Sequence, residues 1–273
     1  MPLRVMPPRA LFASAAISAL LVLAPIAFTL YRASAGRLDD AIELLFRPLV
    51  GELMINTLII TVSATLVCAL VGTAAWFVER THLPARRLWA MLCAAPLAMP
   101  VFVSSYAWVS ISLDLQDFAR ALLVIASSYF PLVYLPVAAA LRGMDPVLEE
   151  RARSLGCGRW LVFTRVVLPQ LRPALLGGML LVVLGVLSEF GAFQMLRYRP
   201  FTTEIYAEYR TSFDNGGASL VACVLLMMCL VALALEFRLA ARGMNAWIAV
   251  HGGRGTNLAA GAGPCCRVSA RWS

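Results

Sequence analysis

The sequence predicts an all-α polytopic membrane protein with about six transmembrane helices and both termini in the cytoplasm. Three observations carry that prediction. Hydrophobic residues make up 61% of the chain and charged residues 14%, and the mean hydropathy is +0.80, far from a soluble mixture. Six apolar runs can cross about 30 Å of hydrocarbon at about 1.5 Å per residue, with the backbone amides bonded inside helices. The chain has 23 Arg and no Lys, and with a cytoplasmic N-terminus segments 1–9, 79–87, 142–172 and 236–271 hold 16 of the Arg but only 5 of the 15 acids. That excess of positive charge on one side fixes the orientation as N-in, C-in.

The elements follow in order. Residues 1–9, with Arg4 and Arg9, form a cytoplasmic N-terminus, and the membrane domain occupies 10–240. The first span is 10–31. A cleaved signal peptide is the alternative, since the run ends near Ala33, Ser34 and Ala35, but its length exceeds the usual signal core and an uncleaved span is expected. The second span, 53–78, opens with Asn56, Thr57 and Leu58, and a turn with Glu79, Arg80, Thr81, Leu83, Pro84, Arg86 and Arg87 follows it. Pro96 and Pro100 punctuate the third span, 88–113, and Pro131 and Pro136 the fourth, 121–141. A ring without an N–H predicts kinks in both, plain packing irregularity being the alternative. Tyr106, Trp108, Tyr129 and Tyr134 are expected as interface anchors rather than ligands.

Between the fourth span and the fifth, 174–188, lies a polar, Arg-rich insert at 145–173. Glu189 interrupts the fifth span. An acid at membrane depth is costly and faces a partner or a water-filled cavity, whereas an acid at the outer interface is solvated, and the sequence leaves both open. The sixth span is 218–235. From 241 to 273 the chain turns Gly-rich and Ala-rich without an apolar period, so a disordered or frame-shifted tail is expected.

Several functional classes drop out. Cys68, Cys93, Cys157, Cys223, Cys229, Cys265 and Cys266 show no paired spacing and are expected as packing thiols. His82 and His251 stand far from any Cys or carboxylate cluster, so no metal site is expected. The lack of Lys excludes a Walker P-loop and Schiff-base chemistry, and no His-Glu-x-x-His or Gly-x-Ser-x-Gly occurs, so no catalytic residue is assigned. A net charge of +8 would suit nucleic acid, but the arginines are sorted by membrane side. Membrane lipid, not nucleic acid, is the expected partner of that charge.

The insert carries helix signals. Asp145 and Pro146 make a start, a carboxylate for orphan amides and a ring preset for the first helical position. Glu149 and Glu150 fall in or near the first turn, where negative charge suits the dipole. Gly156 provides a stop in the left-handed region, and 159–167 reads as a second helical stretch ending before Pro169. A basic juxtamembrane loop resting on anionic lipid is the alternative, but charge attraction alone would not require these signals at these offsets.

Glu150, Arg151 and Ala152, then Gly156, Val166, Leu168 and Pro169, resemble the Glu-Ala-Ala ("EAA") loop of ABC importer permeases. In that pattern the triplet is followed by three residues, Gly, nine residues, Ile, one residue and Leu-Pro. Arg151 replaces the middle Ala, and Val166 the Ile. The resemblance implies a coupling helix that receives force from a cytoplasmic ABC ATPase dimer, with Glu149, Glu150, Arg151, Ala152, Gly156, Leu168 and Pro169 at the contact. It also implies a periplasmic or lipid-anchored solute-binding protein and a second permease half or a second copy as partners. ATP and Mg would be bound by the partner ATPase, with no cofactor in this chain and no enzyme activity of its own. The expected location is the bacterial inner membrane.

Ser188, Glu189, Phe190 and Gly191, followed by Phe201, Thr202 and Thr203, are similar to the first half of fused two-repeat permeases of the ferric-iron branch. On that resemblance the chain forms half of a pore for ferric iron, with Glu189, Phe190 and Gly191 as candidates for the translocation path. Thiamine, phosphonate and polyamine are the alternative substrates. A secondary transporter or channel, and an inactive half-permease left by truncation, are the alternative functions.

Overall fold

The computed structural model describes residues 9–35, 48–73, 75–80, 84–111, 118–144, 158–211 and 215–252, with Val147, Glu150, Ser154 and Gly156 between the fifth and sixth of these stretches. Every regular element among them is a helix. In chain order these are α1 (Arg9–Ala35), α2 (Pro48–Thr73), α3 (Ala75–Arg80), α4 (Arg86–Ala94), α5 (Val101–Ile111), α6 (Phe118–Tyr129), α7 (Pro131–Gly143), α8 (Arg159–Val162), α9 (Leu168–Ser188), α10 (Gly191–Met195), α11 (Phe201–Thr211) and α12 (Asn215–Gly252). A 3₁₀ turn, Ala95–Ala98, follows α4, and a π turn, Phe163–Val167, joins α8 to α9. Among the described residues five helices are long and apolar enough to cross a membrane, six if the bent pair around Met99 is one span.

Proline explains where the spans deviate. Arg86–Ala98 and Val101–Ile111 meet at 95°. Pro100 drives the preceding residue out of the helical region, and Met99 is extended at φ −111°, ψ 126°, its N–H donated to the Pro96 carbonyl at 3.2 Å. The fourth span behaves differently: Phe130 stays helical before Pro131, and Phe118–Gly143 continues as one span. The helical stretch expected to end before Pro169 does not end there. Leu168 donates five residues back to the Phe163 carbonyl, and the wide turn lets Pro169 enter the first turn of α9. The fifth span therefore starts at Trp160 rather than at 174, and the second at Pro48 rather than at 53. The last helix runs on to Gly252, past the boundary expected at 240.

The chain divides into two compact units, Met1–Leu58 with Arg199–Met228, and Ile59–Tyr198 with Cys229–Ser273. In the second unit α7 is the centre. Val133 is completely buried, with a glycine of a different helix closing on it from each of two directions. A Cβ on Gly72 of α2 would come within 2.5 Å of Val133 Cγ1, and one on Gly178 of α9 within 2.8 Å of Val133 Cα. Hydrocarbon offers no hydrophobic drive between helices, so such backbone approach is how spans gain dispersion energy. Tyr134, Val137 and Leu141 of α7 and Leu171, Val182 and Val186 of α9 complete this core. Exposed apolar side chains elsewhere, such as Leu20 and Leu21 of α1, suit a lipid solvent.

In the first unit Val50 and Leu53 of α2 pack with Phe201 of α11 and Val221 of α12. Thr57 accepts the Phe201 N–H at 3.1 Å and donates to the Leu53 carbonyl at 2.7 Å. The hydroxyl thus caps the start of α11 from another helix.

Gly177 and Gly178 provide a test. Gly178→Ala forces Val133 backbone to move and should lower the detergent-solubilised unfolding midpoint, at an overpacking cost of about 1–3 kcal/mol. Gly177→Ala, with nothing within 4 Å of the added carbon, should leave the midpoint unchanged or slightly raised.

Candidate functional site

The insert is helical at Val147, Glu150 and Ser154, where the Ser154 hydroxyl donates to the Glu150 carbonyl at 2.9 Å. Glu150 and Ser154 are exposed. Gly156 has φ 79°, in the left-handed region that favours glycine, and is exposed with open space around its α-carbon. Leu168 is half-buried at the start of α9, and Pro169 beside it is exposed. Glu149, Arg151 and Ala152 lie outside the described residues, as do Asp145, Pro146 and Cys157.

The far end of α9 holds the second group. Glu189 sits where α9 stops and α10 begins, extended at φ −73°, ψ 128°. Its Oε2 accepts the Tyr129 hydroxyl at 2.8 Å and its Oε1 accepts the Ala192 N–H at 3.0 Å. The carboxylate therefore satisfies an amide that the helix break would leave without a partner. Phe190 is half-buried, its carbonyl accepting the Gln194 N–H at 3.0 Å. A Cβ on Gly191 would meet Phe102 Cβ at 2.9 Å, so the glycine sets how closely α10 lies on α5.

Residues of α6 and α7 meet α9 and the chain beyond it around this site. Val133 lies against Gly178, a Cβ on Gly185 would meet the Tyr129 ring at 3.3 Å, and the ring centroids of Phe118 and Tyr198 are 6.1 Å apart. The partner of Glu189, Tyr129, belongs to the span Phe118–Gly143. Glu189 is half-buried and bonded, not an acid free in solvent.

Two expectations about tyrosines need correction. Tyr134 is 2% exposed in the α7 core, and Tyr129 is half-buried on Glu189, so neither is an interface anchor; Tyr106, 63% exposed, and Trp108 are more open. For Tyr129 the cause is Gly185 of α9, where a Cβ would come within 3.3 Å of the ring. Cys68 is buried, its thiol 3.7 Å from the Ala126 carbonyl, and Cys93, Cys223 and Cys229 are half-buried free thiols.

Residues 20–242 match the family described as binding-protein-dependent transport system inner membrane component. The chain belongs to this family.

Among curated members the chain is 37% identical over 208 residues to the Fe(3+)-transport system permease protein FbpB 2 of Haemophilus influenzae, covering 76% of this chain and 41% of that protein. It thus spans less than half the length of that relative. It is 30% identical over 179 residues to the sulfate transport system permease protein CysT of Escherichia coli, covering 58% and 65%. With the molybdenum transport system permease protein ModB of Escherichia coli it shares 27% over 185 residues, covering 59% and 80%. Its fold is that of a chain in the crystal structure of a bacterial alginate ABC transporter in complex with an alginate-bound periplasmic protein. The TM-score is 0.68 at 16% identity, covering 86% of this chain and 93% of that one.

Sequence reasoning singled out Glu189 but not its partner Tyr129, because the two stand 60 residues apart with no local signal. The geometry sets an order of damage. Glu189→Ala leaves the Ala192 amide unsatisfied, at a cost of about 1–3 kcal/mol, while Glu189→Gln keeps an acceptor and Tyr129→Phe keeps the cap. Unfolding midpoints in detergent should fall most for Glu189→Ala, and equal values for all three variants would contradict the cap.

Proposed function

We propose that this chain is the membrane subunit of an ATP-driven importer of ferric iron. Membership of the family, together with 37% identity to a ferric-iron permease, is the observation that carries the reading. Both termini lie in the cytoplasm, as the arginine distribution favours. The insert around Glu150 and Gly156 is then cytoplasmic and docks as a coupling helix in a cleft of a separate ATPase, which binds ATP and Mg. Glu150, helical and exposed, supplies a carboxylate for Arg or Lys of that partner, and Gly156 turns the chain where a side chain would be strained.

The pore is completed by a second permease half or a second copy, and a solute-binding protein delivers the ion on the opposite face. Closure of the ATPase dimer draws the coupling helices together and shifts the pore between inward-facing and outward-facing states, through differential binding to the two. Relatives named for sulfate and molybdenum make an oxyanion the competing substrate. The carboxylate of Glu189 favours a cation: on the translocation path a fixed negative charge attracts Fe(3+) and repels sulfate.

The test is uptake into proteoliposomes holding the permease, its ATPase and the binding protein loaded with radioactive Fe(3+). Uptake should need ATP and survive collapse of ion gradients. Uptake that needs the gradient and not ATP would instead identify a secondary transporter. In the same complexes Gly156→Val should weaken ATPase co-purification about tenfold, the left-handed region costing such a residue about 1–2 kcal/mol. Glu150→Arg should weaken it as well. Undiminished ATPase binding in both variants would remove the insert from the contact.

A further inference from the structure

The turn after the second span carries charges that neither the pore nor the docking contact uses. Glu79, in the last turn of α3, has a side chain only 4% exposed. Arg86, at the first position of α4, pairs with its Oε2, and Arg142, in the last turn of α7, reaches its Oε1 at 3.5 Å. The two arginines are themselves about half exposed, at 48% and 57%. Only the acid is taken out of water, a burial tolerated because both partners attend it. Arg80 adds a bond from Nη2 to the Leu141 carbonyl at 3.3 Å, the same carbonyl that accepts the Met144 N–H at 3.4 Å.

Two further features aim this knot at the insert. Met144 is extended at φ −82°, ψ 134°, so the chain leaves the fourth span within two residues of Arg142. On the other side Ala85 is held left-handed at φ 57°, ψ 37°, a strained state for a residue with a Cβ, and it delivers Arg86 onto Glu79.

We propose that Glu79 is a positioning residue for energy coupling: its ion pairs fasten the ends of the second, third and fourth spans into one body at the root of the insert. This rests on the importer reading above. In that setting Glu79 touches neither substrate nor ATPase. It acts by converting displacement of the insert into displacement of spans, so its loss should uncouple ATP hydrolysis from transport in complexes that still assemble.

The experiment measures Fe(3+) delivered per ATP hydrolysed in proteoliposomes containing the permease, its ATPase and the loaded binding protein. Glu79→Gln should co-purify with the ATPase as the parent does and retain basal hydrolysis, yet deliver about fivefold less iron per ATP or lower still. Arg142→Gln, which leaves Glu79 paired with Arg86, tests the same link should Glu79→Gln fail to assemble, and should lower the ratio by a smaller factor. A merely structural role would lower the amount of complex and leave the ratio at the parental value, and that result overturns the proposal. A parent complex that shows no ATP-dependent uptake would overturn the importer reading itself, which separates the two failures.

Discussion

The backbone's need for hydrogen-bond partners governs this protein. Hydrocarbon supplies none, so a spanning segment must be helical, and where a helix stops or bends another backbone group or a side chain has to take up the freed group. The described residues repeat that solution. Thr57 takes the Phe201 N–H, Glu189 takes the Ala192 N–H, Arg80 gives to the Leu141 carbonyl, and the Gln170 side chain gives to the Val166 carbonyl at 2.9 Å beside the π turn. Several polar residues that look out of place in an apolar chain thus serve the breaks, from beside them or, like Thr57, from another helix. They are expensive to bury alone and inexpensive where they replace a lost backbone bond.

Shape does the remaining work. A Val between two glycines brings three spans into close contact, Gly191 allows Phe102 a similar approach, and Gly185 allows the Tyr129 ring a looser one. Dispersion between helices requires such proximity, because lipid competes on equal terms for any looser apolar surface. The same closeness transmits motion: a displacement of α7 must carry α9 with it. The ion pairs at the root of the insert and the packed valine are therefore complementary, one fixing span ends and the other span middles.

Class, span number and the bend in the third span were legible, because length, apolarity and Pro-before-residue sterics are local properties. The stop at Gly156 was legible for the same reason. Span starts were not: Glu52 near the front of α2 and the Arg-bearing turns before α9 look like loop by charge, yet long helices can carry charges beyond the hydrocarbon. Pro169 read as a helix end because the π turn that accommodates it has no sequence signature. The partners of Glu189, Glu79 and Thr57 were invisible. Tyr129, Arg142 and Phe201 lie on other helices far along the chain, and no periodicity reports pairing between helices.

On the proposed function the insert is the single point at which a soluble motor grips the membrane domain, so its side of the membrane decides everything built on it. Ser154 is exposed and helical there, next to Gly156. The direct measurement is labelling of Ser154→Cys by a membrane-impermeant maleimide, in a background with the seven native cysteines replaced. The account predicts labelling in inverted membrane vesicles and none in intact spheroplasts. Labelling in intact spheroplasts would put the insert on the outer face and contradict it.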